Sequence, residues 1–280
     1  MGSFLNKLVF IISIFFVCTS LGLQPKITYY PDSFYKDYES GLSRDKDLKT
    51  DLQMVLSSLH QQNEGQQDQI VSSCKGSCYS HKEIGYGRAR QVIFGELYLQ
   101  KKDQQYFVHD EYCEYDISSG VGPGLLPSDK VINVEHTWPQ SRFSSRFPKD
   151  LQKSDLHHLF PTDSQMNSAR GNFPFADVLE TTQDLKCNTV KLGYTDSLKR
   201  SHYFEPPEDH KGRVARALFY FSVRYNLTIG ETEEKYLRQW HKNHPPDDSD
   251  RMVNDFIFKK QMNRNPFVDY PELVDAIADF

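Results

Sequence analysis

Three side chains in the middle of this chain carry complementary chemistry. Glu135 and His136 are adjacent in EHTWP (135–139), and Asn167 lies in SDLHHLFPTDSQMNSARGNF (154–173). A carboxylate and an amide oxygen, completed by water, make a hard oxygen site that suits Mg2+, or Mn2+ or Ca2+ in its place, rather than Zn2+. An imidazole beside it, with an ordinary pKa of about 6.5, suits deprotonation of water near neutral pH. The trio therefore predicts Glu135 and Asn167 as ligands of one cation that binds phosphodiester oxygens, with His136 activating an in-line water. One geometric condition applies. Successive strand residues face opposite ways, so Glu135 and His136 share a site only at a strand end or bulge, and Pro139 supplies such an end.

The elements that must position these groups are legible in the surrounding pattern. Val131 to Val134 is a short β-branched strand, and a Ser/Arg/Phe-rich loop runs from Pro139 to Pro148. Leu156, Leu159 and Phe160 make a returning strand closed by Pro161. Thr162 and Gln165 have the spacing of a capping box, which opens a short helix through Asn167 and Arg170 ended by Gly171. The order is strand, loop, strand, short helix. Further on, Val214, Ala217, Leu218 and Phe221 share one face of a helix over 213–225, and further helices are predicted over 231–243 and from Ser249 through Met262. Upstream, Leu48, Leu52, Val55, Leu56 and Leu59 recur at helical spacing. Arg88 to Leu97 reads as another helix, and 106–115 as strand.

Taken with the residues between them, these motifs become specific. EHTWP, SDLHHLFPTDSQMNSARGNF, RVARALFYFSVRYNLT (213–228) and MNRNPFVDYPEL (262–273) together resemble the bacterial endonuclease I family of secreted or periplasmic nucleases. The resemblance spans roughly residues 80 to 273. It implies an α+β fold in which a ββα-metal core is embedded in a mainly helical domain. It also implies non-specific hydrolysis of DNA, and often of RNA, with Mg2+ and 5′-phosphate products. Position by position, the family's Glu-His pair falls on Glu135 and His136, metal ligand and general base, and its helix Asn falls on Asn167, the second protein ligand. The family also uses an arginine near the site. Arg142 and Arg146 compete for that role because the loop after Pro139 is shorter here, and Arg170, Arg213 and Arg216 are further candidate phosphate contacts, with Arg224, Lys199, Arg200 and Lys211 as an accompanying basic track. Asp155 and His157 are expected to support the returning strand structurally, and His158 to be solvated. Two other readings stay open: a secreted nucleic-acid-binding protein without catalysis, and a zinc hydrolase built on Asp155, His157 and His158.

The ends of the chain bear on where such a protein works. Leu8 to Val17 is a run of ten residues, all apolar but Ser13, about 15 Å as a helix and half of a hydrocarbon core. Lys7 precedes it and small residues follow to Gly22, the pattern of a signal peptide over 1–22. Residues 23–73 then read as an acidic N-terminal extension with a helix, and 74–280 as the nuclease domain. The exported protein is expected to be secreted or periplasmic, monomeric and free of stable membrane association. In that oxidising setting Cys74, Cys78, Cys113 and Cys187 form up to two disulfides, with three pairings open. The whole chain of 280 residues carries 38 acids against 33 bases, a net −5. Positions 31–70, however, hold eight acids against four bases, while 136–170 hold five bases against three acids. The total does not exclude a nucleic-acid partner; it argues for local contact and ready release.

Overall fold

A computed structural model describes residues 25–280, so the leader expected at 1–22 lies outside the described residues. The chain opens with α1 (Asp32–Glu39) and α2 (Asp45–Ser57), followed by β1 (Leu59–Gln61), β2 (Gln69–Val71) and β3 (Cys78–Tyr79). Next come α3 (Tyr86–Val92), which widens into a π-type turn over Ile93–Leu97, then β4 (Leu99–Lys102), β5 (Gln105–His109) and β6 (Asp116–Ile117). The central unit is β7 (Ile132–His136), α4 (Lys149–Lys153), β8 (Leu159–Asp163) and α5 (Ser164–Arg170). The short strands β9 (Glu180–Thr181), β10 (Lys191–Tyr194) and β11 (His202–Glu205) follow. The last third is helical: α6 (Glu208–Tyr225), α7 (Glu231–Asn243), α8 (Asp248–Gln261) and α9 (Pro266–Asp269). The fold is α+β, with small antiparallel sheets among helices. Among the described residues no helix is long and apolar enough to cross a membrane.

The ribbon of β7 and β8 is the scaffold of the centre. Ile132 pairs with Asp163 and His136 with Leu159, an unbroken antiparallel register of five pairs. Pro161 is accommodated opposite Val134 because each strand of a two-stranded ribbon keeps one free edge. Ile132, Val134 and Leu159 enter one apolar cluster with Ala89, Val92, Ile93, Phe94 and Ile257. Trp138, Met166 and Phe175 enter the larger one, around α6. The ribbon is thus clamped between two cores.

Several local expectations are corrected. The cap of α5 is Asp163, whose carboxylate Oδ1 accepts from the N–H groups of Gln165 (2.9 Å) and Met166 (3.1 Å). Thr162 instead continues the ladder opposite Asn133. Residues 111–113 form a turn rather than a strand, and the strand is 105–109. The acidic N-terminal segment carries two helices instead of one, and its apolar side is core. Tyr29, Tyr30, Phe34, Tyr35, Leu48, Leu52, Val55 and Leu56 pack in the same cluster as α6 and the C-terminal Tyr270 and Phe280. Tyr35 and Tyr270 share a buried hydrogen bond of 2.6 Å, and Tyr30 donates to Asp269 at 2.6 Å. Its acids lie on the solvated side of an amphipathic pair, which composition registers while burial does not. The cysteines pair as Cys74–Cys78 and Cys113–Cys187, so they form no four-thiolate metal site.

Asp155 is the polar centre of this arrangement. Fully buried, its Oδ2 accepts from Tyr220 (2.7 Å) and Tyr225 (2.8 Å), and its Oδ1 from Gln261 (2.7 Å) and the N–H of His157 (3.2 Å). Burial pushes its carboxyl up, but the imidazoles of His81, His157 and His158 outweigh this and hold it well below the carboxylate range. Truncation strands buried donors from α6 and α8, each costing about 1–3 kcal/mol. Asp155→Ala is therefore expected to lose at least ~3 kcal/mol in urea unfolding followed by tryptophan fluorescence; an unmoved midpoint would remove the hub from this account.

Candidate active site

An open cleft of about 540 Å³ is walled by Tyr86, Glu135, His136, Gln140, Asn167 and Arg170, with the turn around Pro139. The strand geometry explains how neighbours share it. Asn133 and Glu135 project from one face of β7, onto which α5 packs. His136 is the last residue of β7, and the chain turns back at Pro139 so that Gln140 returns to it.

Glu135 is buried, and one of its oxygens is fully engaged. Oε1 takes Arg170 Nη1 at 2.8 Å and the phenol of Tyr112 at 3.1 Å. Among the described residues Oε2 has no hydrogen-bond partner. Burial pushes the carboxyl up against the opposing pull of the Arg170 charge. Asn167 donates from Nδ2 to Asn133 Oδ1 at 2.7 Å, which orients the amide and leaves its own Oδ1 available. His136 Nε2 lies 3.1 Å from the carbonyl oxygen of Lys153, which can only accept, so Nε2 carries the proton. Nδ1 then bears the lone pair and takes a long 3.4 Å contact from the Gln140 amide. Burial, followed by the neighbouring His158, pushes the imidazole down to about 3, so it is neutral at physiological pH. Tyr86 stands beside the ring at 5.4 Å, with Lys153 Nζ 4.4 Å from the Tyr86 centroid.

The structure thus brings Glu135, His136, Asn167 and Arg170 together, and separates the remaining candidates from them. Arg170 is itself not a free phosphate ligand. It is 1% exposed, donates to the carbonyls of His136 (3.0 Å) and Thr137 (2.5 Å), and lies over Phe175. Arg142 sits over Trp138 and 3.6 Å from Glu233, outside the cleft wall, and Arg146 lines a different depression near Lys46 and Lys49. Arg213 and Arg216 line a second cavity of about 790 Å³ and are paired with Glu111 and Asp250. Arg224 is buried against His81, Lys211 pairs with Asp177, Glu205 and Glu208, Lys199 with Glu180 and Arg200 with Asp196. The α6 members of the expected basic track are turned inward, Lys211, Arg213 and Arg216 onto acids and Arg224 onto His81, because α6 is buried almost all round, while Lys199 and Arg200 form exposed surface pairs. Asp155 and His157 are buried in hydrogen bonds outside the cleft wall, and His158, expected to be solvated, is fully buried with Nε2 on the carbonyl of Gln152. His157 Nε2 faces the carbonyl of Asn263, so its donors and those of His158 do not converge with Asp155 on a zinc site. Among the described residues the one close group of metal-type side chains is Asp110, Cys113 and Asp163, in which the sulfur belongs to a disulfide. The supporting residues Tyr112, Gln140 and Asn133 carry no motif signal, and only proximity identifies them.

Fold and cleft together define the class: an α+β protein whose hairpin and following helix present a carboxylate, a neutral imidazole and an amide oxygen to one cleft. The model of the Endonuclease I family matches residues 45–272, and the chain belongs to that family. The match begins inside the acidic segment, where α2 starts. The chain is 37% identical over 169 residues to an extracellular ribonuclease of Bacillus subtilis, covering 52% of this chain and 53% of that protein. It is 32% identical over 119 residues to an extracellular deoxyribonuclease of Aeromonas hydrophila, covering 42% and 49%. To an endonuclease-1 of Buchnera aphidicola it is 30% identical over 119 residues, covering 41% and 46%. The chain spans about half the length of the curated relatives it matches.

The neutral histidines have a consequence for stability. Burial pushes His136 down to about 3, and His81, His158 and His241 down to about 4, from an ordinary 6.5. Between pH 6.5 and about 4 these groups take protons only in the unfolded chain, so stability falls as pH drops through that window. Each contributes at most about 1.4 kcal/mol per pH unit. Urea midpoints measured from pH 7 to 4 are expected to fall steeply, and a flat profile would show that these imidazoles are not held neutral.

Proposed function

We propose that this chain is an exported, metal-dependent endonuclease that hydrolyses phosphodiester bonds in DNA, and in RNA, without sequence preference and with 5′-phosphate products. The observation that carries the reading is the tautomer and place of His136: its Nε2 proton is tied to the Lys153 carbonyl, and its Nδ1 lone pair meets the cleft wall. The names of the extracellular relatives, one acting on RNA and one on DNA, support both the substrate class and export. We read β7, β8 and α5 as the ββα-metal core, residues 1–22 as a leader, and the mature protein as a monomer without stable membrane association.

The residues fit a hard divalent cation. Glu135 Oε2 and Asn167 Oδ1 are oxygens left open while their partner atoms are engaged, the donor set that Mg2+ takes with water. These two would hold it. When bound, such an ion supplies Lewis-acid stabilisation of negative charge on the phosphodiester oxygens. His136, neutral at rest, accepts a proton from water at Nδ1. The Lys153 carbonyl at Nε2 and the negative phosphodiester then favour the imidazolium as it forms. The bond broken is that between phosphorus and the 3′ oxygen, which leaves the phosphate on the 5′ side. Arg170 holds the end of β7 and one oxygen of Glu135 in place throughout.

Nicking of supercoiled plasmid, and cleavage of RNA, are expected with Mg2+ and not with EDTA. His136→Ala should keep the fold and lose roughly 10²–10⁴-fold in rate. Glu135→Ala should lose rate and also its response to added metal. Nicking by His136→Ala at the parent rate would refute the assignment of the base, and DNA retained in EDTA without any nicking would favour a binding protein instead.

A further inference from the structure

One carboxylate oxygen joins the two parts of the chain that carry the proposed cation ligands. Asp110 Oδ1 accepts from the backbone N–H of Tyr112 at 2.9 Å and from that of Asp163 at 2.9 Å. On one side the phenol of Tyr112, itself fully buried, donates to Glu135 Oε1. On the other, Asp163 caps α5, the helix that presents Asn167. A line of hydrogen bonds therefore runs from Glu135 through Tyr112, Asp110 and Asp163 to the helix of Asn167. Its middle is pinned from outside. The Tyr112 carbonyl accepts from Thr189 Oγ1 at 2.6 Å, Cys113 is bonded to Cys187, and the Glu111 N–H reaches the Pro161 carbonyl at 3.0 Å. Asp110, Cys113 and Asp163 thus form a junction: Asp110 Oδ1 and both oxygens of Asp163 are taken by donors, the sulfur belongs to a disulfide, and Asp110 Oδ2 alone has no hydrogen-bond partner among the described residues.

We propose that Tyr112 and Asp110 are positioning residues that set the orientation and spacing of Glu135 and Asn167 toward the divalent cation. The inference rests on reading those two residues as the cation's ligands. The physical reason lies at Glu135. A guanidinium alone draws both oxygens of a carboxylate into a two-pronged pair, which would close Oε2 to the cation. The Tyr112 hydroxyl shares Oε1 with Arg170 and keeps the carboxylate turned so that Oε2 stays open. Asp110 holds the Tyr112 backbone in register with the cap of α5, so the two ligands are set against each other and not only against their own strand and helix. Groups that orient metal ligands from behind typically account for 10–100-fold in affinity.

The test is Mn2+ binding to the full chain without substrate, titrated by electron paramagnetic resonance, for the parent, Tyr112→Phe, Asp110→Asn and Tyr225→Phe. Tyr225→Phe removes an equally buried phenol hydroxyl, one that serves Asp155 away from the cleft. Tyr112→Phe is expected to weaken Mn2+ binding about 10-fold or more, Asp110→Asn less than that because its amide oxygen can still accept both backbone N–H groups, and Tyr225→Phe not at all. Nicking by Tyr112→Phe should return toward the parent rate at raised Mg2+, with the KM for DNA unchanged. Parent-like Mn2+ affinity in Tyr112→Phe overturns the proposal, as does equal weakening in Tyr225→Phe, which would mark general loosening. If the parent itself binds no Mn2+, the cation-ligand reading fails and takes this inference with it.

Discussion

The buried guanidinium of Arg170 is the contact on which the rest of the site depends. It reaches Glu135, the backbone carbonyls of His136 and Thr137, and the ring of Phe175, so one side chain from α5 fixes the end of β7. A charge taken fully out of water is costly unless its donors are met, and here all but Nε are engaged. The pairing also fixes what the site can offer. With Arg170 and Tyr112 on one oxygen of Glu135, that carboxylate presents a single open oxygen rather than two.

The same logic of engaged partners governs His136 and Asn167. The Lys153 carbonyl chooses the tautomer of the imidazole, and Asn133 chooses the face of the amide. Each open atom is available because its counterpart on the same side chain is committed to the protein. Behind this layer, the Asp155 hub ties 153–158 to α6 and α8. The carbonyl that orients His136 belongs to that stretch, whereas Glu135 and Asn167 are held by other contacts.

Charge is distributed by the same economy. Lys211, Arg213 and Arg216 serve acids within the fold, while Lys199 and Arg200 pair with acids at the surface. The acidic N-terminal helices contribute their tyrosines and leucines to the core and their carboxylates to water. The negative total thus describes the solvated surface more than the cleft.

Much of the centre was legible from residue order. EHTWP and the helix of Asn167 picked out three side chains that the fold brings to one cleft, and the β-branched run before Glu135 with the Gly171 stop outlined strand, strand and helix, because these depend on local backbone preference. The cap was misplaced by one residue, since Thr162 and Asp163 are both good caps and the strand register chose between them. What local pattern could not contain was pairing across distance. Nothing in the spacing says that Arg170 turns inward while Arg142 and Arg146 stay outside the cleft. Nor does it say which cysteines join, or that Tyr112, 23 residues before Glu135, meets its carboxylate. Those outcomes follow from burial, which makes each polar group find a partner wherever the fold brings one. Sequence chose the chemistry; packing chose which atoms are free to perform it.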